Sequence, residues 1–366
     1  MLTTPPELAR PLVRQLLDAL RAIPGIDVKF PADDVEHPSP TSASDAVIEI
    51  RVAGTPITLL LETRKALYPR DVREALWRTR ESALGPTVTH ATGTSIPMLV
   101  ADSISPGAKD LLRAERVGYY DSGGSLYVPA GGVLLYVDKP PPKPLAKSIR
   151  SLFTGRRAQV VHALLLGHRE WFAGKDLAAR AQVSAATASQ VLGEMERLDW
   201  ITARGQGPHK ERRVSEPGAL LDQWVQALAS QRAPLLHRYF LPAVNLDHLL
   251  DPIARAFAVH EVSYAISNEA AAQCYAPFLT SVPQVKCRLL PGPAAAAAMQ
   301  ELGARVVTEG ANLAVIEVKS PGELLFRERL GDYWLASPIQ VYLDLQRGEG
   351  RSKELAAHLR KERLGY

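Results

Sequence analysis

The stretch that decides how this chain is read is DLAARAQVSAATASQVLGEMERLDWITARGQGPHKERRV, Asp176 to Val214. Lys175 to Gln182 has the composition of a short helix, and Val183-Ser184 that of a tight turn. Ser184 is a favoured N-cap for a second helix. In that helix Ala188, Val191, Leu192, Met195 and Leu198 recur at spacings of three and four, which places them on one buried face. After LDWI the polarity rises, and Gly205 and Gly207 supply the turn of a hairpin over residues 202–214.

The other face of the second helix carries Ser184, Thr187, Ser189, Gln190, Glu194 and Arg197. Short polar groups near a helix N-terminus suit a helix that enters the DNA major groove end-first and reads base edges. The hairpin adds Arg204, Lys210, Arg212 and Arg213, a basic edge matched to phosphates or to the minor groove. Helix, turn, helix and basic hairpin in this order resemble the winged helix-turn-helix of many bacterial transcription regulators. With a third helical stretch just upstream, residues 151–230 form the expected DNA-binding domain.

Working upstream, VDKPPPKPLAKSIR holds four prolines within five residues, Pro140 to Pro144. Such a run continues neither a helix nor a central strand, and residues 138–150 read as an extended linker. From Asp138 to Arg157 six basic side chains (Lys139, Lys143, Lys147, Arg150, Arg156 and Arg157) face one acid. That bias joins Lys147, Arg150, Arg156 and Arg157 to the expected phosphate contacts, although the whole chain is only +4.

Residues 1–137 read as a mixed α/β domain. Leu8, Leu12, Leu16 and Leu20 give an amphipathic helix, strands follow at 45–52, 57–62 and 97–101, and Ser105-Pro106 caps a further helix. Helix, strand, strand, helix, strand, helix, strand is a three-layer pattern. Asp45 leads the first of these strands, and ITLLLETRKAL, Ile57 to Leu67, ends in Glu62-Thr63-Arg64-Lys65. This order resembles the PD-(D/E)XK nucleases, a restriction-endonuclease-like fold in which two carboxylates hold Mg²⁺ and a lysine positions the attacking water. In a strand Leu60, Glu62 and Arg64 share a face and Lys65 points away. Arg64 therefore stands where the resemblance calls for lysine, and an always-charged arginine cannot act as a base. A core retained for folding, dimerisation or DNA contact is the favoured reading. Asp121, ahead of Ser122-Gly123-Gly124, reads as turn chemistry.

Residues 231–366 return to a mixed pattern. YAISNEAAAQCYAPFL reads as strand, turn and helix. QVKCRLL, ARVVTEG and NLAVIEV read as strands, and helices begin at Ser337 and Ser352. Together with EGANLAVIEV and the final SPIQVYLDLQRGEGRSKELAAHLRKERLGY, this order resembles the C-terminal domain of AbiEi-like antitoxin regulators of type IV toxin–antitoxin systems. The resemblance implies an α/β multidomain protein with a central winged helix, transcriptional repression through double-stranded DNA, and in some members a nucleotidyltransferase toxin as partner. YAISNEAAAQ also resembles the first strand–turn–helix of a nucleotidyltransferase fold. It lacks the glycine-serine turn and paired aspartates that catalysis would need, so this domain reads as degenerate. Tyr264, Tyr275, Trp334 and Tyr342 read as core aromatics.

Hydrophobic residues make up 46% and charged residues 22%, the balance of an ordinary globular protein. The N-terminus lacks the pattern of a secretory signal, and Cys274 and Cys287 read as buried thiols, so a cytoplasmic location is expected. The first reading is a sequence-specific DNA-binding regulator, dimeric because a two-fold protein matches a palindromic operator. Two alternatives stand beside it: a Mg²⁺-dependent nuclease using Asp45, Glu62, Arg64 and Lys65, and an antitoxin that binds its toxin directly.

Overall fold

The computed structural model describes residues 6–29, 45–52, 54–83, 94–130, 132–242, 249–279, 282 and 284–366. Met1–Pro5 and the side chain of Leu8, both used in the sequence reading, lie outside the described residues. The chain is a mixed α/β protein that divides into two compact units. Residues 1–149 and 194–199 form the first, and residues 150–193 and 200–366 the second.

The first unit runs α1 (Pro6–Arg21), β1 (Ile26–Lys29), β2 (Ala46–Val52), β3 (Thr55–Leu67), α2 (Pro69–Ala83), β4 (Thr94–Ile104), α3 (Pro106–Ala114), β5 (Gly118–Asp121), β6 (Leu126–Ala130) and β7 (Val133–Val137). The seven strands form one sheet in sequence order. β3, β4 and β5 run parallel at its centre, and the outer neighbours pair antiparallel. A parallel strand buried on both faces needs apolar residues at successive positions, and Met98, Leu99, Val100 and Ala101 of β4 meet that need, whereas β3 buries alternate residues such as Ile57, Leu59 and Leu61. The sheet buries Leu12, Leu16 and Leu20 of α1 in one core cluster and Val72, Ala108 and Leu112 of α2 and α3 in another. Ser105 caps α3 as its sequence indicates, accepting from the Ala108 amide with Pro106 in the first turn.

The expected extended linker is corrected at its second half. Residues 138–142 are without regular structure, but α4 spans Lys143–Ser151. Pro144 sits in the first turn, where a proline's missing N–H costs nothing. The preceding segment is tied down at Lys139, whose amide donates to Ser125 Oγ (3.1 Å) while that hydroxyl donates to the Lys139 carbonyl (3.2 Å).

The second unit continues with α5 (Gly155–Leu166), β8 (Phe172–Ala173), α6 (Gly174–Arg180), α7 (Ala185–Arg197), β9 (Ile201–Arg204), β10 (Glu211–Val214) and α8 (Pro217–Ala229). It goes on through β11 (Leu236–Phe240), α9 (Leu250–Val259), β12 (Tyr264–Ser267), α10 (Asn268–Tyr275), β13 (Val285–Leu289), α11 (Pro293–Glu301), β14 (Arg305–Val306), β15 (Leu313–Glu317), β16 (Glu328–Leu330), β17 (Tyr333–Leu335), α12 (Pro338–Leu345) and α13 (Ser352–Leu359). A small sheet has the order β8-β10-β9, and a seven-stranded one β14-β11-β15-β13-β12-β17-β16. ARVVTEG, read as a full strand, contributes only the two residues of β14, which pair with the end of β11. The helix-rich segment and the C-terminal segment share this unit through specific bonds. His162 Nε2 lies 2.6 Å from Ser337 Oγ, Arg347 donates to the Leu228 carbonyl at 2.9 Å, and Arg360 pairs with Asp222 at 2.6 Å.

Cys287 is buried and free, whereas Cys274 is only half-buried. Tyr264 and Tyr342 are buried as expected, but Tyr275 and Trp334 are half-buried, with Arg363 over the first ring and Arg327 over the second. Among the described residues no helix is long and apolar enough to cross a membrane.

Candidate nucleic-acid interface

α7 buries Ala188, Val191, Leu192, Met195 and Leu198, the face its spacing defined. Ser184 caps it: the Thr187 amide donates to Ser184 Oγ at 3.1 Å, and the two hydroxyls lie 2.9 Å apart. Ser189, Gln190 and Arg197 are exposed, and Thr187 is half-buried. The sequence therefore displays Ser189 and Gln190 from a helix whose opposite face is locked into the core.

The hairpin of β9 and β10 turns at Gly205 and Gly207, both with positive φ (72° and 56°). A Cβ at Gly205 would stand 2.6 Å from the His209 carbonyl oxygen, so only glycine fits there. Register sets which charges share a face. Arg213 pairs with Thr202 and Glu211 with Arg204, whereas Arg212 pairs with Ala203 and faces the other way. Arg212 is half-buried and donates to the Lys210 carbonyl at 3.2 Å. Arg204 is ion-paired with Glu211 at 2.7 Å. The guanidinium carbons of Arg204 and Arg213 lie 4.3 and 4.8 Å from the centroid of the Trp171 ring. Neither Trp171 nor Glu211 was singled out in the sequence. Alternation along β10 would have put Glu211 on the face of Arg213, but its pairing with Arg204 depends on the hairpin register, and Trp171 reaches the hairpin only through the fold.

Among the remaining basic candidates, Lys147, Arg150 and Arg156 are exposed. Arg157 is half-buried and donates to Ser151 Oγ at 2.8 Å, which ties it to the end of α4. Lys147 and Arg197 group with the first unit, and the other candidates from Arg150 to Arg213 with the second.

At the nuclease-like positions, β3 places Glu62 and Arg64 on one face, where they form an ion pair with each other. Arg64 also donates to the Thr63 carbonyl at 2.8 Å. Lys65 is exposed on the opposite side. Asp45 turns to Thr63, accepting from its amide and its hydroxyl, each at 2.7 Å. Among the described residues no three His, Cys, Asp or Glu side chains are gathered to hold a metal ion. Replacing Asp45 by alanine removes both of these bonds to Thr63 and is expected to cost about 1 kcal/mol. Urea denaturation would register this, and an unchanged midpoint would show that the cap is idle.

Asp121 does more than turn the chain. Its Oδ1 accepts the Ser125 amide at 3.1 Å, while Oδ2 lies 2.7 Å from Lys109 Nζ in a fully buried ion pair. Lys109 also donates to Ser125 Oγ at 2.6 Å. This closed cluster anchors the Lys139 segment to the sheet.

Compared with protein-family models, curated proteins and solved structures, the chain matches none.

Proposed function

We propose that this chain is a sequence-specific DNA-binding transcriptional regulator of the AbiEi-like antitoxin type. Its α5–β8–α6–α7–β9–β10 segment would act as a winged helix-turn-helix, and it would work as a cytoplasmic homodimer on a two-fold operator. The supporting observation is α7 itself. A serine-capped helix presents Ser189 and Gln190 outward while five apolar side chains fix its other face. A glutamine so placed can make the bidentate contact to adenine N6 and N7, and the hairpin arginines can take the backbone phosphates. The first unit is read as a restriction-endonuclease-like fold and the C-terminal segment as a degenerate nucleotidyltransferase-like domain. A nucleotidyltransferase toxin would be the protein partner.

The nuclease alternative is less supported, because Asp45 is spent on Thr63 and Glu62 on Arg64. One experiment separates the readings. Purified protein is incubated with labelled genomic fragments, including the region upstream of its own gene, with and without Mg²⁺. An enriched, uncut fragment is the expected result. Mg²⁺-dependent shortening that Glu62→Ala abolishes would overturn it. Once a fragment is in hand, Ser189→Ala with Gln190→Ala is expected to lower the preference for it over unrelated DNA by about tenfold to a hundredfold. Equal loss on both duplexes would remove α7 from the reading role.

A further inference from the structure

The outer face of the hairpin carries Thr202, Arg204, Glu211 and Arg213 together. Two like charges are drawn to one indole, and a single carboxylate is engaged with only one of them. Arg204 is the engaged one, with its side chain still 56% exposed. Arg213 is exposed and, among the described residues, has no carboxylate partner. Both guanidiniums keep donors free for a third group, since stacking on a ring uses the planar face and leaves the N–H edge outward.

We propose that Trp171 is a positioning residue that holds Arg204 and Arg213 as a ready clamp for the phosphodiester backbone of duplex DNA, and that Glu211 is a built-in competitor for that clamp. The inference rests on the DNA-binding reading and deepens it. An unsupported arginine must give up rotamer freedom when it grips a phosphate, whereas a stacked one has already done so. Glu211 presents to Arg204 the charge that a phosphate would present. DNA must displace it, and the displaced carboxylate then repels the incoming strand. Glu211 thus weakens the phosphate contact and moderates its salt dependence.

The experiment uses the full chain and a short duplex of arbitrary sequence, titrated across a range of salt. Glu211→Gln is expected to tighten binding and to steepen the slope of log K against log salt by about 1, as one more counterion is released. Trp171→Leu is expected to weaken binding about twofold to fivefold, and Trp171→Phe to restore most of it. In an Arg204→Ala, Arg213→Ala background, Trp171→Leu should have no further effect, because its role runs through those two side chains. A leucine that weakens binding equally in both backgrounds overturns the positioning role. A Glu211→Gln slope unchanged from the parent overturns the competitor role. Either result leaves the regulator reading standing if the parent protein binds the duplex. A parent that binds no duplex in any salt overturns both.

Discussion

Replacing Asp344 by alanine is expected to remove about 3–5 kcal/mol from the stability of the second unit. Asp344 on α12 and Arg288 on β13 are both buried, at 7% and 8% exposure, where a lone charge is costly. The carboxylate accepts from Arg288 Nε at 2.8 Å and from its Nη2, from Gln340 Nε2 at 2.9 Å, and from the Ser267 hydroxyl at the end of β12. Burial disfavours the charge on Arg288, and the neighbouring Asp344 more than offsets this, so the guanidinium is held even more firmly protonated than usual. Alanine leaves that cation without its main partner, and the nearest other carboxylate, Glu323, is 4.0 Å away. Asp344→Asn keeps the shape and should still lose most of the same amount. Arg288→Met with Asp344→Leu, which removes both charges, should recover most of it. Urea denaturation of the four proteins is the measurement. A loss under about 1 kcal/mol for the alanine variant would mean that water or Glu323 takes over the arginine.

Spacing alone specifies some parts of this fold and not others. The inward face of α7 follows from spacing alone, because a helix with apolar residues every three or four positions has one way to bury them. The centres of β3 and β4 follow from their apolar runs at 57–62 and 97–101, but the strands extend to Thr55–Leu67 and Thr94–Ile104, through polar residues that the runs do not include. Edge strands are harder. β1 has a neighbour on one side only and carries the mixed sequence IDVK, and β8 is two residues long. α4 was hidden because prolines that end a helix can also begin one. For the candidate interface, alternation put Glu62 and Arg64 on one face correctly. It could not show Asp45 turning onto Thr63, since that depends on the β2–β3 register. Likewise Arg212 and Arg213 look equivalent in a basic run. Only the hairpin's orientation decides that Arg213 joins Arg204 at Trp171 while Arg212 turns inward.

The division of labour on the hairpin and on α7 has a common physical basis. In the proposed reading, α7 presents short polar groups from a helix whose other face is buried, and the hairpin presents two arginines held against Trp171, which would lower the ordering cost of binding DNA. By contrast the nuclease-like positions are spent on one another. Glu62 pairs with Arg64, and Asp45 accepts from the amide and the hydroxyl of Thr63. A site whose charges are mutually satisfied is expected to be quiet, whereas the hairpin retains more positive charge than its one acid offsets.

Lowering the pH from 7 to 5 is expected to cost the second unit about 2 kcal/mol through His162 alone. His162 on α5 is buried beside Trp224 and Phe326, and burial, reinforced by Arg288, pushes its pKa down from 6.5 to about 3. Its partner is 175 residues away, Ser337 at the N-cap of α12. Ser337 Oγ also accepts the Gln340 amide at 3.2 Å, so one hydroxyl joins the helix cap to the imidazole. Such a histidine is neutral in the folded state, while the unfolded chain takes up a proton near pH 6.5. The stabilisation is therefore complete above 6.5, falls as the pH drops below it, and stops falling near 3, where the folded state protonates too. Carboxylates also titrate toward the acid end, so the comparison is with His162→Gln, which keeps a hydrogen-bonding group but cannot take up the proton. The difference between wild type and variant should shrink by about 2 kcal/mol from pH 7 to pH 5. A difference that stays constant across that range would show that water reaches the ring and that its burial does not hold it neutral.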